Sequence, residues 1–338
     1  MTILGIETSC DETAAAILRI NENDKKIELL SNVIATSLAL HAKTGGIIPE
    51  VAAREQLKFI IPVIEESFKV LKNPKEEIDA IAVTVGPGLI GSLLVGVETA
   101  RTFSYIWKKP IIPVNHLFGH IYANFINENS IQFPAIALIV SGGHTDLVLM
   151  KNHHEIKWLG GTRDDAAGEA FDKTGRLLNL PYPAGPLIEK LASTATKDIY
   201  HFPRPIIGSD DFDFSFSGLK TAVLREVKKI KMPNDNDIKN ISFSLQQAIF
   251  AVLIKKTFKA VRKYNAKSIL LGGGVAANQT LREKFEQEIK NQNIGATLFV
   301  PAKNLCTDNA AMIAAAAFFN PDRADWRKIS ANPELYFD

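Results

Sequence analysis

Two histidines four residues apart, His116 and His120 in the run NHLFGH, are the first residues whose type and spacing suggest chemistry. Positions i and i+4 share one face of a helix, so both imidazoles can reach a single metal ion. The plainer reading makes one or both of them core or capping histidines. A third ligand favours the metal, and Asp308 in CTDNAA is the candidate. Its alternative role is the N-cap of the alanine-rich last helix. Two histidines and one carboxylate leave coordination positions open and suit iron(II) or zinc(II) acting as a Lewis acid. A zinc protease of the HExxH type needs a glutamate between the histidines to activate water. Leu117 and Phe118 follow His116, so this segment supplies no such base.

A second group consists of turns at Ser9–Thr13, Gly86–Gly91, Ser141–Thr145 and Gly272–Asn278, the last three of them rich in glycine. Turns with little side chain let backbone N–H groups approach phosphate oxygens, and a following helix N-terminus favours negative charge. One such turn is an ordinary packing device; four, arranged as pairs, point to a nucleotide or acyl-phosphate site. None fits GxxxxGK[ST] or a GxGxxG after the appropriate strand, which disfavours a P-loop enzyme and a Rossmann dehydrogenase. Acids cluster in DDAAGEAFDK at an expected helix start, where the dipole accounts for Asp164 and Asp165. Asp172 lies deeper in that helix. It and Asn278, just after the triple-glycine turn, are candidates for hydrogen bonds to ribose hydroxyls or to a ligand ammonium.

The elements that must position these residues form two similar series. Apolar runs at Thr2–Glu7 and Thr13–Arg19 flank a polar turn, and Pro134–Val140 and Thr145–Met150 repeat that hairpin pattern. After the first hairpin the pattern predicts a strand, an amphipathic helix from Pro49 to Leu71, the buried strand IDAIAVTV, a glycine turn and a helix. After the second come several helices, a long one over roughly Ile241 to Tyr264, the strand SILL, Gly272-Gly273-Gly274 and another helix. A duplicated unit of this kind buries each sheet between helices and is expected to set its turns across a central cleft.

Composition excludes much else. The chain has 338 residues, 46% apolar and 22% charged, which fits a packed protein of two domains. Two cysteines, Cys10 and Cys306, exclude a disulfide framework and suggest a reducing compartment. Glu7, Asp11 and Glu12 stand where a secretory signal needs a positive start and an apolar run, so no signal is expected. The uncharged stretch Ala80–Val97 contains Pro87 and GPGLIGSLLVG and reads as strand, turn and helix rather than a membrane span.

Nine collinear segments carry a family resemblance: MTILGIETSCDETAAAI, HAKTGGIIPEVAAREQ, NHLFGH, IVSGGHTDL, DDAAGEAFDKTGRLL, PAGPLIE, FSFSGLKTAV, GGGVAANQTLR and CTDNAAMIA. Together they resemble the bacterial tRNA N6-adenosine threonylcarbamoyltransferase family, once described as O-sialoglycoprotein endopeptidases, over residues 1 to about 320. The resemblance implies an α/β fold of the duplicated actin, sugar-kinase and Hsp70 ATPase (ASKHA) type. Its lobes would be 1–130 and 131–338, around a nucleotide cleft, with a helical insertion near 160–240. It implies transfer of threonylcarbamoyl from threonylcarbamoyl-AMP to N6 of adenosine 37 in tRNAs reading codons that begin with A.

Under the resemblance His116, His120 and Asp308 are metal ligands, with Fe(2+) or Zn(2+) as the ion. Ile139, Val140, Ser141, Gly142, Gly143, Asp172, Gly185, Glu189 and Asn278 fall on adenylate-binding positions. Asp11 and Glu12, on the first turn, are candidates for removing the N6 proton; their alternative role is ordering that turn. Phe118 and Gln56 depart from the family pattern, which often carries glutamate and histidine there. The implied partners are tRNA, an inactive paralogue (TsaB-type), a small P-loop ATPase (TsaE-type) and a synthase supplying the adenylate, all cytoplasmic and without a membrane. A metalloprotease and a small-molecule kinase or ATPase on the same fold are the rival functions.

Net charge is +2, a cancellation. Residues 220–267 carry 12 Lys and Arg against three acids, a balance of +9, which leaves −7 elsewhere. Lys255, Lys259 and Arg262 share one helix face and form a candidate tRNA phosphate stripe, with a solvated helix face as the alternative.

Overall fold

In the computed structural model the described residues are 1–21, 23–24, 26–126, 130–195, 197–230 and 233–337. They form two compact units, residues 1–131 with 301–338, and residues 132–300.

The first unit is built on a five-stranded sheet of order β3-β2-β1-β4-β5: β1 (Thr2–Glu7), β2 (Glu12–Ile20), β3 (Ile27–Thr36), β4 (Ala80–Gly86) and β5 (Ile111–Asn115). β1 and β4 are buried along their whole length, which is why they read as unbroken apolar runs and not as alternating patterns. β2 runs antiparallel to both β1 and β3, whereas β4 and β5 add in parallel. Helices α1 (Leu38–Thr44), α2 (Pro49–Phe68), α3 (Pro74–Glu77), α4 (Ile90–Trp107) and α5 (His116–Tyr122) belong to this unit, as do α11 (Lys303–Cys306) and α12 (Ala310–Phe319).

Residues 301–338 were expected with the second lobe, but the structure packs them into the first unit. The cause is side-chain size. α12 reads AAMIAAAAFF and is buried almost throughout, and its small residues let it lie directly on β1. A Cβ at Gly5 would come within 2.2 Å of Ala310 O, so the strand offers the matching groove. The chain then returns along the same sheet, with Ala324 N–H donating to Ile111 O and Asn332 N–H to Val85 O.

The second unit repeats the topology. Its sheet has the order β10-β9-β6-β7-β8, from β6 (Ala135–Val140), β7 (Thr145–Met150), β8 (Ile156–Gly161), β9 (Ser268–Gly272) and β10 (Thr297–Phe299). The antiparallel hairpin and the two parallel additions occupy the same places as in the first sheet. This is the duplicated two-unit α/β architecture that the paired motifs predict. Helices α6 (Ala167–Leu177), α7 (Gly185–Ala192), α8 (Ser217–Ile230), α9 (Asp235–Tyr264) and α10 (Gln279–Asn291) complete it. Its core runs from Ile136, Leu138 and Leu147 through Phe171, Phe214 and Phe216 to Leu245, Phe250 and Phe258.

Two further expectations change. α9 begins at Asp235 and not near Ile241, because its first turn is polar and is set by a capping box between Asn234 and Asp237. Asp164 and Asp165 precede α6 instead of opening it. Asp164 caps α8: its carboxylate accepts from the Phe216 and Ser217 N–H groups and from the Ser215 and Ser217 hydroxyls. Asp165 pairs with Lys173 at 2.6 Å.

Candidate metal centre and ligand-binding turns

α5 begins at His116 because the Asn115 side chain accepts the Leu117 N–H, an N-cap that fixes the first turn of the histidine helix. Asn115 is held in its turn by Tyr336 O, to which its Nδ2 donates at 2.6 Å, and Phe118 packs its ring on Phe337 at 5.6 Å. The departing residue Phe118 therefore serves as a seat for the end of the chain.

Helical spacing brings the two imidazoles side by side, with ring centroids 4.7 Å apart. Asp308 Oδ1 lies 3.6 Å from His116 Nε2 and 3.3 Å from His120 Nε2. One ligand atom from each of the three falls within 4.8 Å of the others. The cap of α12 is Asn309, which accepts the Met312 N–H, so Asp308 has no capping duty. His120 is fully buried, and neither of its ring nitrogens makes a hydrogen bond among the described residues. Leaving a buried imidazole so costs free energy, and a cation bound by the three side chains removes the deficit. The donor set and this orphaned ring both fit a divalent metal ion.

Negative charge surrounds the site. Burial pulls the His116 imidazole toward neutrality, but Glu7 and Asp308 outweigh it and hold it up at about 9. Burial first, then Asp308 and Asp11, pushes the Glu12 carboxyl up to about 10. Burial and the same acids raise the Cys10 thiol. The turn carrying Asp11 and Glu12 is tied down by Gln56, whose Nε2 donates to Thr8 O, Cys10 O and Glu12 O at 3.3, 3.0 and 2.9 Å.

In the second unit the structure brings the other predicted positions together at the carboxyl ends of β6 and β9. The Ser141–His144 turn closes with Ser141 N–H donating to His144 O, and the α6 N-terminus packs on it through Gly168 N–H to Ser141 O. A Cβ at Gly168 would lie 2.5 Å from that oxygen, so only glycine allows the approach. Gly142 and Gly143 are exposed, with open space where a side chain would stand, and so is the space at Gly185. Ile139 and Val140 are buried at the end of β6. Gly273, next to Val140, has φ +91°, a left-handed conformation that packs the triple-glycine turn on the end of β6.

Asp172 Oδ1 accepts the Ala184 N–H at 2.7 Å at the start of α7, and burial raises its carboxyl above the usual range. Glu189 on α7 accepts the Gln279 N–H, beside Asn278. Asn278 caps α10 through Oδ1 and donates to Gln246 Oε1, which leaves one amide N–H for a ligand. Exposed turn N–H groups with two carboxylates and an amide nearby can hold the phosphate and hydroxyls of a nucleotide.

Of the basic stripe on α9, Lys255 and Arg262 are exposed. Lys259 is half-buried and donates to Ser209 O and Asp210 O. Lys256, beside them, is buried against Ser209 and Asp211.

Sequence reasoning missed Glu7, a fully buried carboxylate at the end of β1, as a residue of the site. The signal was present: a charge closing the apolar run TILGIE needs a partner when buried.

A family model described as tRNA N6-adenosine threonylcarbamoyltransferase matches residues 28–315. Proteins of that name are 47% identical over 330 residues in Syntrophomonas wolfei, covering 98% of this chain and 95% of the relative, and 48% identical over 317 residues in Persephonella marina, covering 93% and 88%. Among solved structures, HypF from T. kodakarensis matches with TM-score 0.63 at 13% identity, over 95% of this chain and 47% of that one. The activator of 2-hydroxyisocaproyl-CoA dehydratase from Clostridium difficile matches with TM-score 0.51 at 13% identity, over 95% of both chains. These two likenesses show the fold alone.

Proposed function

Because the chain belongs to the tRNA N6-adenosine threonylcarbamoyltransferase family, we propose that it transfers the threonylcarbamoyl group of threonylcarbamoyl-AMP to N6 of adenosine 37 in tRNAs reading codons that begin with A. The observation that carries this reading is the pair of residue groups in one chain: the His116–His120–Asp308 group in the first unit, with both histidines buried, and the set of open glycine turns and carboxylates in the second. The protease reading has no general base in the histidine helix, where Leu117 is buried and Phe118 packs on Phe337.

In the reaction a bond forms between N6 and the carbamoyl carbon, the bond from that carbon to the phosphate oxygen breaks, AMP leaves, and N6 loses a proton. The donor is an activated anhydride, so the protein's main task is to align a weakly nucleophilic amine with the carbonyl. The N–H groups of Gly142 and Gly143 stabilise the phosphate as it takes up charge. Asp172, Glu189 and Asn278 orient the adenosine half, with Gly185 leaving room for it. Asp11 is the proposed acceptor of the N6 proton, while Glu12, held protonated by burial and by Asp308 and Asp11, orders the turn beside it. His116, His120 and Asp308 would hold the divalent ion, Fe(2+) or Zn(2+), which when bound supplies Lewis-acid polarisation of a carbonyl.

Adenosine 37 lies in a single-stranded loop, where a base can be splayed out to reach a site. Lys255 and Arg262 are proposed as tRNA phosphate contacts, and Lys259 contributes less because its ammonium is spent on two carbonyls. Partner proteins are proposed as an inactive paralogue and a small P-loop ATPase, with a separate synthase making the adenylate. The exposed apolar side chains Leu57, Ile61, Leu94 and Ile106 on α2 and α4 form the face offered to the paralogue. Among the described residues no helix is long and apolar enough to cross a membrane, and a cytoplasmic place is proposed on the tRNA substrate.

The test is mass spectrometry of tRNA nucleosides after incubation with threonylcarbamoyl-AMP, the partner proteins and unmodified tRNA. Threonylcarbamoyladenosine is the expected product, and unchanged adenosine refutes the assignment.

A further inference from the structure

Glu7 ends β1 with no exposure to solvent, and a carboxylate taken out of water must be met by donors. Three converge on it. Ser9 N–H donates to Oε1 at 2.5 Å, and Thr84 Oγ1 donates to Oε2 at 2.6 Å. The third is His116, whose Nδ1 lies 3.0 Å from Oε2, with Ser9 Oγ 3.2 Å from the same nitrogen. The opposite nitrogen of that ring, Nε2, faces Asp308.

We infer that Glu7 is a positioning residue for the metal ligand His116: its carboxylate takes the Nδ1 hydrogen, fixes the ring plane, and leaves the Nε2 lone pair for the cation. A carboxylate is an acceptor only, so the bond requires the hydrogen to sit on Nδ1. Metal-binding histidines commonly donate their second N–H to a carboxylate or carbonyl, which sets both tautomer and orientation. Ser9 and Thr84 anchor the carboxylate so that it cannot turn away to another donor. The two histidines thus play different parts. His116 is held in place before any ion arrives, whereas His120 has no hydrogen-bond partner among the described residues to hold it.

This inference rests on reading His116, His120 and Asp308 as a metal site, and its test separates the two claims. Metal-free full-length protein is titrated with Co(II) and followed by its visible absorption, for the wild type and Glu7→Gln, with the unfolding midpoint measured on both. In the variant an amide N–H can face Nδ1, which favours the opposite tautomer and puts a hydrogen on Nε2, where the lone pair would bind the cation. A 10- to 100-fold weaker Co(II) affinity with an altered spectrum is expected. A variant that binds with wild-type affinity and spectrum overturns the inference, and a wild type that binds no Co(II) overturns the metal reading itself. Nitrogen NMR of the zinc-loaded wild type gives the same decision without a variant. Zinc on His116 Nε2 with a hydrogen on Nδ1 supports the inference; zinc on Nδ1 refutes it.

Discussion

His120 is the residue whose environment demands an explanation, since burying an imidazole with neither nitrogen hydrogen-bonded among the described residues is unfavourable unless a ligand completes it. His120→Ala is expected to lose stoichiometric binding of iron or zinc, measured by elemental analysis of the purified protein. One ion per chain retained in the variant contradicts the site. Gln56 sets a second prediction at this scale. Its single amide nitrogen serves three carbonyls of the turn that carries Asp11 and Glu12, and it is buried. Gln56→Ala leaves those acceptors short of a donor and should cost about 1–3 kcal/mol in denaturant unfolding. A loss below about 0.5 kcal/mol would show that the turn holds itself. The histidine pair was legible because a helix repeats every 3.6 residues and brings i and i+4 together. The role of Gln56 was not, because it depends on the carbonyls of residues 8–12, and for Glu7 the run TILGIE signalled a charge in need of a partner but not its partners Thr84 and His116, which are distant in sequence.

Among elements, the acidic segment before α6 shows how sequence proximity misleads. Asp164 stands near α6 but caps α8, some fifty residues later, with four donors on one carboxylate. Its slight burial raises the carboxyl, but these donors outweigh that and hold it below the usual range. A depressed native value means stability that is present above about pH 4, the unfolded value, and is lost as pH falls through the native one. Asp164→Ala should therefore lower unfolding free energy by about 1 kcal/mol at pH 7, with the gap to wild type closing as the pH is taken toward 2. A gap of equal size at both ends would remove the ionised cap from the account. The buried strands and the glycine turns were readable from apolar runs and punctuation, whereas the short, largely uncovered β10 was not. The start of α9 was not, because a capping box of polar residues carries no apolar period.

At the scale of the molecule, two sheets with the same strand order arise from two series of motifs, and the duplication was visible in the hairpin and glycine-turn pattern. The assignment of residues 301–338 was not. The fit of an alanine-rich helix to Gly5, together with the backbone bonds of Ala324 and Asn332 to β5 and β4, places the last segment in the first unit. The α2–α4 surface is the remaining large feature, because soluble chains seldom leave such neighbouring side chains as Leu57 and Ile106 at 66% and 59% exposure without use. Ile106→Asp is expected to leave the unfolding midpoint near wild type while abolishing co-purification with the paralogue; a complex that persists contradicts the assigned face. The claim that joins all three scales is group transfer to tRNA. Its most direct test supplies threonylcarbamoyl-AMP carrying an isotope label in the carbamoyl carbon, with the partner proteins and unmodified tRNA. The account predicts the label in threonylcarbamoyladenosine of the tRNA, and label found only in released bicarbonate would contradict it.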